Sequence, residues 1–146
     1  MKNLLLAMLL FCSLTVVAQN YNASQESLRK EISEYLSRKR YSPENQSDGL
    51  KFKIEGENFY VEIDPEEKKP MFLRVCRYIK FDEKLTRKDV LDNLVLYNSI
   101  YGVKVSCKEK NVLISFEMFV NKASEITDIF DDMMIKIKLV SLMISD

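Results

Sequence analysis

The side chains best suited to chemistry are carboxylates, and one group of them lies near the C-terminus. Asp128 is three residues before Asp131 and four before Asp132, so a helix would place it on the same face as both. Such oxygen ligands suit Ca²⁺ or Mg²⁺, but the ligand spacing and glycine of an EF-hand loop are missing. Acidic residues are also favoured at the positive N-terminal end of a helix. We therefore expect neither a metal site nor a bound cofactor here.

A second acidic group comprises Glu62, Asp64, Glu66 and Glu67. Glycoside hydrolysis needs two carboxylates at a set separation, with one kept protonated by burial. These four follow a predicted strand edge into a charged loop that also contains two lysines, so a solvated turn is the simpler interpretation. We expect no catalytic residues in this group.

The residue types that are missing narrow the function further. The 146-residue chain has no histidine, which excludes His-based catalysis and His-ligated zinc. Its three glycines, Gly49, Gly56 and Gly102, are too far apart to build a phosphate-binding loop. The 22 basic and 22 acidic side chains balance, whereas nucleic-acid binding normally needs a basic excess. A non-enzymatic protein that does not bind nucleic acid is therefore expected.

Residues 1–18 have the pattern of a cleaved secretory signal peptide. Lys2 provides a positive start, residues 4–11 are all apolar, and Val16 and Ala18 are small residues placed for cleavage before Gln19. The apolar run is shorter than the roughly 20 residues that cross a bilayer. We predict export to the periplasm or the medium, no membrane insertion after cleavage, and a single domain over residues 19–146.

Two cysteines would remain after cleavage, Cys76 and Cys107. An exported protein could join them, but their positions in the predicted strands place Cys76 on the outer face of the sheet and Cys107 on the inner face. Because strand side chains alternate between faces, the two sulfurs should lie on opposite sides of one sheet. We expect free thiols, while a bulge or a frayed strand end would still allow the two cysteines to form a disulfide.

Apolar periodicity predicts the elements that position these side chains. Thr86 and Asp89 have the spacing of a helix capping box, Gly102 suits the end of that helix, and Asn22 or Ser24 and later Ser124 suit helix starts. A polar loop is expected over residues 41–49. The predicted elements are a helix over about 24–40, strands over 50–55, 59–64 and 71–81, a helix from 86, strands over 103–107 and 112–120, and a final helix from 124.

The order α-β-β-β-α-β-β-α predicts an α+β fold, with an antiparallel sheet of about five strands and helices packed mainly on one face. The opposite face should carry aromatic side chains mixed with arginine, a composition typical of protein-contact surfaces. The first helix or the termini could instead cover that face. The candidate contact residues are Tyr60, Phe72, Arg74, Tyr78, Leu113 and Phe119.

The same order resembles the YbjN-like family, which shares its architecture with type III secretion chaperones. The resemblance lies in the segments VLDNL at 90–94, YN at 97–98 and the hairpin at 104–117, with YVEID at 60–64 and MFLRV at 71–75 fitting the middle strands. It implies a non-enzymatic protein that binds proteins or regulates them, often as a dimer. The signal peptide departs from secretion chaperones, which act in the cytosol.

The sequence thus favours an exported module that binds another protein, or a second copy of itself, through its sheet face or a helix edge. An alternative is a small-molecule or lipid binder with a cavity between sheet and helices, lined by Phe52, Phe59, Phe116 and Phe130. Met133, Met134 and Met143 could line an adaptable groove, but their helical spacing is more typical of core residues. An enzyme built on carboxylates, lysine, tyrosine or cysteine is the weakest option.

Overall fold

The computed structural model describes residues 21–66 and 69–145, so the expected signal peptide lies outside the described residues. The elements in chain order are α1 (Ala23–Arg38), β1 (Glu44–Gln46), β2 (Gly49–Ile54), β3 (Glu57–Ile63), β4 (Met71–Lys80), α2 (Arg87–Asp92), α3 (Leu94–Tyr97), β5 (Val103–Cys107), β6 (Asn111–Val120), α4 (Ser124–Thr127) and α5 (Phe130–Ser145). Among the helices of this described part, none is long and apolar enough to cross a bilayer.

The strands form one antiparallel sheet in the order β1-β2-β3-β4-β6-β5, which confirms the predicted α+β class. The sheet has six strands rather than about five, because β1 forms inside the predicted polar loop. Gly49 makes this hairpin possible, since its φ is +149° and a Cβ there would collide with the carbonyl oxygen of Val61.

The helices cover one face of the sheet, as predicted. The apolar residues that the helices bury, such as Ile32, Val90 and Ile137, form a single core with inward strand residues such as Phe52 and Val75. Buried residues of β3 alternate as the pattern predicts, with Phe59, Val61 and Ile63 inside. The sheet therefore has an inner face under the helices and an outer face away from them.

Helix starts are only partly as predicted. Thr86 caps α2 in a capping box with Asp89, as their spacing predicts. Of the two candidates for the start of α1, Asn22 is the cap, and it forms a reciprocal capping box with Gln25. Ser124 is not a cap, because Ala123 holds that position without a side-chain hydrogen bond. The two later predicted helices are each divided, giving α2 and α3 on either side of Asn93, and α4 and α5.

The helix division changes the role of Gly102. Because α3 ends at Tyr97, Gly102 does not terminate a helix. Its φ is +83°, and a Cβ there would press into the Phe116 ring, so this glycine instead lets the chain turn tightly into β5.

Candidate functional site

The antiparallel register brings the predicted contact residues together on the outer sheet face, which we define by residues 60, 62, 72, 74, 76, 78, 113, 115, 117 and 119. Phe72 lies opposite Phe119, and their rings meet edge to face with centroids 5.4 Å apart. Tyr78 lies opposite Leu113, and the Tyr60 ring meets the Tyr78 ring at 5.6 Å. Aromatic pairs at these distances and angles stabilise one another beyond their buried area.

Arg74 holds the centre of this face. Its guanidinium donates hydrogen bonds to Glu62 on β3 at 2.9 Å and to Glu117 on β6 at 3.1 Å, so one cation joins three strands. It also lies 5.7 Å from the centroid of the Phe72 ring. Burial by itself would lower the pKa of Arg74, but the two carboxylates outweigh it and raise that pKa.

The Glu62 carboxylate accepts hydrogen bonds from three side chains. Besides Arg74, the Tyr78 hydroxyl donates to it at 2.6 Å and the Cys76 thiol at 3.4 Å. Burial raises the pKa of Tyr78, and its hydrogen bond to Glu62 raises it further, so the phenol stays protonated and keeps donating.

Glu117 is held in a matching way. It accepts hydrogen bonds from Lys104 at 3.2 Å and from Ser115 at 3.1 Å, in addition to the one from Arg74. Burial raises the pKa of Glu117, but these donors more than offset that effect and lower it overall. The face therefore carries a fixed, nearly neutral polar network between two aromatic pairs.

Accessibility differs sharply among the six predicted contact residues. Phe119 is 56 % exposed and Tyr78 is 37 % exposed, while Tyr60, Phe72 and Arg74 are half-buried. Leu113 corrects the prediction, because it is only 2 % exposed and cannot serve as a contact side chain. It lies on β6, between β4 and β5, where neighbouring strands flank it on both sides. Five of the six residues thus remain available for contact.

Two open grooves flank Glu62 on this face. One has a volume of about 750 Å³ and runs past Tyr60, Glu62 and Tyr78 towards the turn between β2 and β3. The other, of about 410 Å³, is lined by Glu62, Phe72 and Arg74 together with the acidic start of the β3–β4 loop. Grooves of this size can receive side chains of a partner.

The cysteines lie as predicted, on opposite faces, and both are free thiols. Cys107 packs against the inner core, whereas Cys76 belongs to the outer sheet face but is completely buried there. Burial raises the pKa of the Cys76 thiol, so it stays protonated and unreactive.

Several described members of the two acidic groups that the sequence singled out are already paired with cations. Asp131 and Asp132 are paired with Lys39 at 2.6 Å and with Lys136 at 2.8 Å. Glu62 is bound into the network of the outer sheet face, away from Asp128 and its neighbours. Within the described residues, no cluster of three or more acidic or cysteine side chains could hold a metal ion.

The aromatic residues proposed to line an internal cavity are packed against one another instead. Phe52 lies 5.8 Å from both Phe59 and Phe130, measured between ring centroids, and all three are almost completely buried. Rings in direct contact leave no room for a ligand between them. Phe116 is half-buried, beside Gly102 and Lys136.

A second surface, which the sequence reasoning missed, lies on the helical side. Large apolar side chains of α2, α3, α5 and the loop before β5 face solvent there, with Val95 89 % and Tyr101 86 % exposed. The sequence does contain a signal for this surface. The α5 segment has more apolar residues than one core-facing row of a helix can bury. This helical apolar patch comprises Leu91, Val95, Leu96, Tyr101, Ile135, Leu139 and Leu142.

The Asn98 side chain binds backbone groups of β5, the edge strand next to α3. Asn98 accepts a hydrogen bond from the Val105 N–H at 2.7 Å and donates one to the Val105 carbonyl at 3.4 Å. The Val103 N–H donates to the Ile100 carbonyl. These bonds occupy backbone groups that another strand would need, so β5 is a poor template for strand addition.

No protein-family model matches this sequence, and no curated protein matches it significantly.

Proposed function

We propose that the protein is an exported, non-enzymatic module that binds another protein through its outer sheet face. The observation that carries the proposal is the arrangement around Arg74, where a fixed network of charges separates two aromatic pairs in a face that the described helices leave open. Aromatic and arginine side chains are enriched where proteins contact each other.

Preorganisation supports this use of the face. Because Glu62, Arg74 and Glu117 already hold one another, a partner would not have to order these side chains on binding, which lowers the entropic cost of association. Together with Lys104, which pairs with Glu117, their charges cancel, so recognition would depend on shape and on apolar contacts with Phe119 and Phe72 more than on a charged partner. The expected signal peptide supports export only, whereas the resemblance to YbjN-like proteins favours a protein-binding role.

Phe119→Asp is the variant that tests the proposal. Phe119 is more than half exposed, so the change should leave folding intact while placing a carboxylate in the proposed contact surface. The matched control is Val95→Asp, which makes a similar apolar-to-acid change on the helical side. Bait protein from Gln19 onwards would be cross-linked in the envelope fraction of its source, and captured partners would be purified and rebound.

We expect a purified partner to bind the parent and Val95→Asp alike and to bind Phe119→Asp at least tenfold more weakly, as for loss of a central apolar contact. Equal binding by the parent and Phe119→Asp would overturn the assignment to this face. Circular dichroism of all three proteins would verify that each is folded.

A further inference from the structure

The helical apolar patch requires a separate explanation, because it lies on the other side of the molecule from the outer sheet face. Ile135, Leu139 and Leu142 follow one another at intervals of four and three residues, so they share one exposed face of α5. Tyr101 lies beside them, since the ammonium of Lys136 is 5.6 Å from the centroid of its ring. The α3 helix, which carries Val95 and Leu96, packs against α5.

The size of this patch matches that of a protein interface. From their exposed fractions, its seven residues together expose on the order of 900 Å² of surface, close to the roughly 800 Å² that each partner buries in a stable complex. An apolar surface of that extent is costly to leave in water.

The ion pairs along α5 indicate what kind of partner could cover the helical apolar patch. Along α5, Asp131 is bound to Lys39, Asp132 to Lys136, and Lys138 to Glu55. A second copy would therefore meet an apolar row whose flanking charges are already neutralised, and like charges would not repel the two chains. An anionic membrane would instead favour free cations beside the apolar row, and these lysines are paired.

We propose that a second copy of the chain covers the helical apolar patch, with the two α5 helices packed antiparallel around a two-fold axis near Leu139. In that arrangement Leu139 meets its own copy, while Ile135 of each chain meets Leu142 of the other, as an isologous interface requires. Val95, Leu96 and Tyr101 extend the contact on either side. The dimer leaves the two outer sheet faces pointing away from each other, so this inference stands independently of the proposed function.

Sedimentation equilibrium of the chain from Gln19 onwards, which contains every core residue of the described part, tests this assembly. We expect the parent to be a dimer in the micromolar range. Leu139→Glu would place two carboxylates against each other at the axis and should raise the dimer dissociation constant by about 100-fold or more. Phe119→Glu, the matched control on the outer sheet face, should remain a dimer.

A second variant keeps the proposal testable if Leu139→Glu does not fold. Leu139→Cys should form an intermolecular disulfide under mild oxidation much faster than Val95→Cys, because only position 139 lies at the axis, and the parent supplies the background from its own thiols. A parent that stays monomeric throughout the micromolar range, or a dimer dissociated by Phe119→Glu but not by Leu139→Glu, would overturn the proposal. A monomeric parent that binds neutral phosphatidylcholine vesicles through Leu139 would assign the patch to a lipid surface instead.

Discussion

The outer sheet face and the helical apolar patch both carry large apolar side chains, but they differ in how much of each side chain water reaches. On the sheet face, Leu113 and Cys76 are buried and the charged groups are joined by hydrogen bonds. On the helical side, Val95 and Tyr101 are almost fully exposed. The first surface is ordered within one chain, whereas the second gains its packing only when another surface covers it.

That difference bears on what each surface can do. A face whose polar groups are fixed in advance can select a partner by shape at low entropic cost. A face with apolar groups in water gains free energy from almost any apolar contact, and it is suited to a permanent partner such as a second copy. The two surfaces lie on opposite sides of the sheet, so both can be occupied together.

The largest expected effect compares the same leucine-to-alanine change at a buried position of the outer sheet face and at an exposed position of the helical apolar patch. Leu113→Ala should lower the free energy of unfolding by about 3 kcal/mol, because it leaves a cavity at a site that is only 2 % exposed. Leu142→Ala, the same change at an exposed position of the patch, should lower it by less than about 0.5 kcal/mol. Urea unfolding at low protein concentration measures both. Similar losses in the two variants would mean that the surfaces do not differ as described.

An intermediate effect tests whether the network orders the sheet face. Glu62→Ala removes the acceptor shared by Arg74, Tyr78 and Cys76. It should lower the free energy of unfolding by about 2 kcal/mol, because partly buried donors are left without a hydrogen-bond partner. Glu62→Gln keeps an acceptor and should cost less. The exposed pair of Glu44 with Lys51 gives the control, since Glu44→Ala should cost under about 0.5 kcal/mol.

If Glu62→Ala proved as mild as Glu44→Ala, the network would be incidental to the stability of the face. Binding of a purified partner would then be expected to tolerate loss of Glu62 as well. A costly Glu62→Ala with a mild Glu62→Gln would show that the hydrogen bonds matter more than the charge.

The sequence predicted the face of each side chain better than its exposure. Period-two alternation assigned Phe59, Val61 and Ile63 to the inner face and Leu113 to the outer face, because that pattern depends only on strand geometry. It could not reveal that Leu113 is buried, since that depends on which strands lie on each side of β6. Strand β1 has three polar residues and no alternation, so only its pairing with β2 identifies it.

The helical side was predicted less well for a related reason. Helical periodicity from residue 126 to 144 predicts one inward apolar row, made of Ile126, Ile129, Phe130, Met133, Ile137, Val140 and Ile144. Six of these residues are buried, but Ile129 is exposed. Ile135, Leu139 and Leu142 fall outside that row, and a helix pattern alone does not say whether such residues meet another element or solvent. The helical apolar patch became visible only once the positions of α3 and α5 were known.

The smallest expected effect is the contribution of the Glu117 charge to stability, which its dependence on pH separates from the rest of the network. The folded-state pKa of Glu117 lies below its ordinary value of 4.5, so its carboxylate stabilises the fold above that pH, and the contribution disappears as the pH falls through the folded-state pKa. At neutral pH, Glu117→Gln should therefore lower the free energy of unfolding by about 1 kcal/mol, a value reduced by solvent screening at this partly exposed site.

Urea unfolding of the parent and Glu117→Gln across the acid range measures this effect. The difference between them should shrink below about pH 4.5, because the parent then loses the same charge that the variant lacks. A difference that persisted unchanged in acid would mean that Glu117 acts through packing and not through its charge. In that case the charge of Glu117 would not be what orders the network, and the proposed preorganisation of the outer sheet face would have to come from side-chain packing.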